Sequence, residues 1–79
     1  MIEVFRTNVR SRSHAKMLVG KIHSEFEGYE ANFDLDDTDN ILRIDYPAGA
    51  IESPRLITFL QSFGFDADVL PDECHILHR

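Results

Sequence analysis

The chain has 79 residues, 43% hydrophobic and 28% charged, which suits one small globular domain and is too apolar for a disordered acidic tail. Fourteen acidic against eight basic side chains leave a formal net charge of −6, which repels a phosphate backbone and excludes generic nucleic-acid binding. Apolar runs too short for a membrane span, no leader-like opening and a single cysteine together point to a cytoplasmic protein held by packing alone.

Residues 1–7 (MIEVFRT) alternate, with Ile2 and Val4 on one side and Glu3, Phe5 and Thr7 on the other, predicting a first strand with Ile2 and Val4 toward the core. Ala15, Leu18, Val19, Ile22 and Phe26 recur at the spacing of one helical face, so a helix is expected over about residues 13–26. Ser11 or Ser13 would cap its start, and Gly28 would close it. Residues 30–36 alternate strictly, with Ala31, Phe33 and Leu35 inward. Turn-forming residues 37–40 then lead into residues 41–46, where Leu42, Ile44 and Tyr46 share a side, so the two segments form a hairpin. After a loop over residues 47–52, Ser53 is placed to cap a second helix that has Pro54 in its first turn. Leu56, Ile57, Leu60 and Phe63 form that helix's apolar stripe, with Phe59 at its border and Gly64 past its end. Residues 65–70 alternate again, with Phe65, Ala67 and Val69 inward, and Pro71 stops further pairing.

The order β-α-β-β-α-β predicts an α+β, ferredoxin-like domain over residues 1–71, a four-stranded antiparallel sheet with two helices on one face, followed by a tail over residues 72–79.

Two stretches carry a family likeness. The helix-one stripe leads into Asn32-Phe33-Asp34-Leu35, which looks like the "vDl" strand of the heavy-metal-associated domains, and GFDADVL at residues 64–70 is similar to their closing "GyeAevl". Over roughly residues 1–71 the chain resembles that family of small βαββαβ copper and zinc carriers. The resemblance implies their fold, and a soft-metal site in the loop before helix one, where the family has Met-x-Cys-x-x-Cys. The equivalent loop, residues 7–14 (TNVRSRSH), holds no cysteine. The ligand positions fall near Ser11 or Arg12 and near His14 or Ala15, and none of those pairs replaces two thiolates for Cu(I). The resemblance therefore implies the fold without the metal site, and no cofactor is expected.

Three groups of residues remain as candidates. The tail gathers the single cysteine with two histidines; were it helical, Cys74 and His78 would share a face, as would His75 and His78, so Cys74, His75 and His78 form a three-ligand metal candidate one short of a closed zinc site. Arg10, Ser11, Arg12 and Ser13 surround the free amides at the start of helix one, an arrangement suited to an anion. His14 and His23 are expected as surface histidines, and the Asp-rich residues 34–40 as a polar turn.

The third candidate is the sheet face that the helices leave uncovered, expected to show Glu3, Phe5, Thr7, Glu30, Asn32, Asp34, Ile41, Arg43, Asp45, Asp66, Asp68 and Leu70. One aromatic and one arginine on a mostly acidic face with a small apolar island exclude the stacking and charge that RNA readout needs. Phe5, Ile41, Asp66, Asp68 and Leu70 would instead dock a basic protein partner or a second copy. No nucleophilic triad, phosphate loop or zinc-hydrolase motif occurs, so no catalytic residue is assigned. The expected function is a non-enzymatic interaction module, with a metal-binding accessory protein or an anion-binding domain as alternatives.

Overall fold

A computed structural model describes residues 1–36 and 39–70; Asp37, Thr38 and residues 71–79 lie outside the described residues, and with them the Cys74, His75 and His78 candidate. Six elements follow in the order β1 (Ile2–Thr7), α1 (Arg12–Glu25), β2 (Glu30–Asp34), β3 (Ile41–Asp45), α2 (Ser53–Gln61) and β4 (Ala67–Val69). The strands form one antiparallel sheet in the order β2-β3-β1-β4, the ferredoxin-like arrangement, and the buried residues of both helices join one core with residues of all four strands.

Local chemistry sets the helix ends. Ser11 is extended and its Oγ accepts the amides of Ser13 and His14 at 3.1 and 3.4 Å, so it is the cap of α1, and the helix starts one residue earlier than its periodicity suggests. In α2, Ser53 is already helical and its hydroxyl donates to Glu3 Oε2 at 3.4 Å instead of capping. The start of α2 is held by the Tyr29 hydroxyl, which accepts the Glu52 N–H at 2.9 Å. At the other end Gly64, at φ +90°, donates to the Gln61 carbonyl while Phe65 donates to that of Leu60. This double closure is the reason a glycine follows the stripe, and it folds Phe65 back beside Leu60. Gly28 is required for two reasons: its φ is +87°, and a Cβ there would meet Tyr46 Cε1 at 2.9 Å.

The facing of β1 is the reverse of the expectation. Phe5 pairs with Leu42 on β3 and with Val69 on β4, and directly paired residues project to the same side. Phe5 is therefore fully buried against the helices, with Glu3 and Thr7 on the same side, while Ile2, Val4 and Arg6 face the open side. Alternation gives the period of a strand but not its phase when both sets contain β-formers, and Ile2 and Val4 outnumbered Phe5. Thr7 is tolerated in the core because its hydroxyl donates to the Asn40 carbonyl at 2.6 Å and accepts the Val9 N–H at 3.2 Å.

β2, β3 and β4 face as their alternation predicts: Ala31, Leu42, Ile44 and Ala67 are buried, with Phe33 and Val69 packed against them. Leu18, Ile22, Leu56 and Leu60 complete the core with no exposed surface, each burial contributing about 1.5–3 kcal/mol. Aromatic rings extend the core at one end, where Tyr46, Tyr29, Phe26, Phe59 and Phe63 follow one another at centroid distances of 4.9, 5.1, 5.3 and 5.2 Å.

Candidate docking edge

The ladder fixes which backbone groups of the sheet are spent and which are offered. Leu70 donates to the Val4 carbonyl at 2.8 Å, so Val4 turns its backbone toward β4 and Phe5, its neighbour, toward β3. Carried across the register, Glu30, Asn32 and Asp34 bond to β3, and Ala31 and Phe33 direct N–H and C=O out of the sheet. β2 is thus an edge strand with outward-pointing polar groups, the template for adding another strand. One of these groups is covered: the Ala31 N–H donates to His23 Nε2 at 3.1 Å. That contact requires Nε2 to be the unprotonated nitrogen. His23, expected as a plain surface histidine, in fact lays its ring over the edge; eight residues separate it from Ala31, and nothing in their spacing signals the contact.

Beside the edge runs a groove of about 410 Å³ between α1 and β2. Ala15, Val19, Ala31, Phe33 and Leu35 give it an apolar lining, and Val19, Phe33 and Leu35 are only half-buried. Arg12 and Lys16 stand on the helix side, Asp34 and Asp36 on the strand side. Arg12 and Asp36 approach to 4.0 Å while remaining 87% and 91% exposed, a contact too solvated to close the groove. On the opposite side of β2 a smaller hollow of about 230 Å³ is lined by Asn32, Phe33, Asp34, Ile41 and Arg43.

The open face carries charges in a definite register. Arg6 lies opposite Asp68, a favourable pair, and Arg43 lies between Asn32 and Val4. Glu30 lies opposite Asp45, two carboxylates facing each other, and Asp34 lies opposite Ile41. Among the described residues the ion pairs within 4.0 Å are Arg12–Asp36 and Arg55–Glu52, so Glu30, Asp34 and Asp45 have no cation at that distance.

Of the residues expected on this face, Ile41 and Leu70 are half-buried and Asp66 and Asp68 exposed, but Phe5 is removed from it to the core. Ile2 and Val4 take its place, and Arg6 joins Arg43, so the face has two arginines and no aromatic ring. At the start of α1, the Ser11 hydroxyl occupies the amides of Ser13 and His14 that an anion would use, and Arg10 and Arg12 are exposed, with Arg12 beside Asp36. No group of three or more His, Cys, Asp or Glu side chains placed to hold a metal occurs among the described residues. No helix among them is long and apolar enough to cross a membrane.

No protein-family model matches the chain, and no curated protein matches it.

Proposed function

We propose that this protein is a non-enzymatic interaction module that docks an extended segment of another protein along β2. The observation that carries the reading is the β2 edge: outward backbone groups at Phe33 run alongside a mixed groove in which Val19, Phe33 and Leu35 are half-buried apolar side chains between charged ones. An added strand would satisfy the edge and place alternate side chains against Val19, Phe33 and Leu35. The likeness to heavy-metal-associated domains enters this reading as one of architecture, since the loop before α1 offers Ser11 as a helix cap where those domains carry thiolates. A cytoplasmic setting accords with the lone cysteine.

The test is selection from a random short-peptide display library on the immobilised full chain. Enriched peptides are expected to shift the amide resonances of Ala31 to Leu35 and to lose affinity for Val19→Lys, a variant whose own spectrum reports its fold. A library that yields no binders, or binders that perturb another face and ignore Val19→Lys, rejects the reading.

A further inference from the structure

We infer that the segment docking on β2 is a basic strand from a different protein, patterned basic–apolar–any–apolar–basic, and not a second copy of this chain. The inference rests on the docking reading and adds the chemistry of the partner. Glu30, Asn32 and Asp34 project to the open face from β2, and Ala31 and Phe33 project to the groove side. A strand laid antiparallel along Ala31 and Phe33 places two side chains in the groove and three on the open face, the outer two directly opposite Glu30 and Asp34. Lysine or arginine there gives Glu30 a cation on the side opposite the like-charged Asp45, and gives Asp34 one at ion-pair distance, which no cation among the described residues supplies. Apolar residues between them meet the half-buried Val19 and Phe33.

The same register argument disfavours self-pairing along the whole of β2. The ladder lets β2 meet its own copy only where outward residues face each other. Centred on Asn32, that pairing sets Glu30 against Asp34 of the second copy, twice. Centred on Phe33, it sets Asn32 against Asp34 and pairs only Asn32 to Asp34, since β2 ends at Asp34. Centred on Ala31, it sets Glu30 against Asn32 and pairs only Glu30 to Asn32 of β2. An edge whose full-length register opposes acid to acid is protected against its own kind and open to a basic strand.

The experiment titrates the isotopically labelled full chain with three capped peptides, Lys-Val-Thr-Val-Lys, Thr-Val-Thr-Val-Thr and Glu-Val-Thr-Val-Glu, following the amides of Ala31 to Leu35. The basic peptide is expected to bind about tenfold more tightly than the acidic one, with the neutral one between, from two exposed charge contacts. The Ala31 amide should show one of the largest shifts as its acceptor changes from His23 to the incoming carbonyl. In the Glu30→Gln, Asp34→Asn double variant the three affinities should converge. Equal affinities for the unsubstituted chain, with shifts at the edge, overturn the charge inference and leave the docking reading standing. No binding by any peptide overturns both, and a concentration-dependent dimer mapped to β2 overturns the exclusion of a second copy.

Discussion

On the covered side of the sheet, Phe5, Leu42 and Ile44 keep no exposed surface, whereas on the open side, one residue away along the same strands, Ile2 is 55% exposed and Arg6 and Arg43 stand in water. The covered side is selected for volume: its side chains interlock with Leu18, Ile22, Leu56 and Leu60, and its polar members, Glu3 and Thr7, have hydrogen-bond partners. The open side tolerates even a carboxylate opposite a carboxylate, at Glu30 and Asp45, because water screens what the core could not. The difference separates two duties within each strand. One set of alternating residues holds the fold, and the other is free to be shaped for contact.

Substitutions on the two faces should differ in size and even in sign. Phe5→Ala is expected to cost about 3–5 kcal/mol, read from the shift of the urea-unfolding midpoint, since it empties a fully buried site in a domain whose core is one layer deep. Val4→Ala, on the adjacent open-face position, should cost clearly less; equal losses would mean that the two faces are packed alike. Thr7→Val preserves shape but leaves the buried Val9 amide and the Asn40 carbonyl without their partner, and about 1–3 kcal/mol should be lost by the same measure. Smallest and opposite in sign, Asp45→Asn should raise stability by about 0.2–1 kcal/mol in low salt by removing the charge facing Glu30. That gain should shrink as salt is added, and a loss of stability at every ionic strength would show that Asp45 has a favourable contact instead.

Much of this architecture was legible in the chain itself. The strict alternation of residues 30–36, the α1 stripe at Ala15, Leu18 and Ile22 and the glycine after α2 each require one local structure, and together they admit one order of elements. The phase of β1 was not legible, because Ile2, Val4 and Phe5 are all apolar and the tie is broken only by pairing with Leu42 and Val69, far away in sequence. Glu3 adds to the ambiguity: a glutamate reads as solvent-facing, yet it sits at the start of α2 because Ser53 donates to it. The β2 edge was not legible. Val19 and Phe33 stood out as apolar, but their partial exposure depends on β2 being the outermost strand, a property of the assembled sheet and not of any local segment. The His23 contact with Ala31 required the finished geometry, which brings a helix side chain over a strand edge.

The position of β1 between β3 and β4 also has a consequence in time. The β2–β3 hairpin closes across a nearby turn, whereas β1 must wait for segments made long after it, beginning with Ile41 to Asp45 and ending with Ala67 to Val69. The earliest of the four strands in the sequence therefore has no partner until β3 is available, and Phe5 stays uncovered until then. The β2–β3 hairpin can form before the domain around it is complete, but the sheet is closed only when the later strands return to β1.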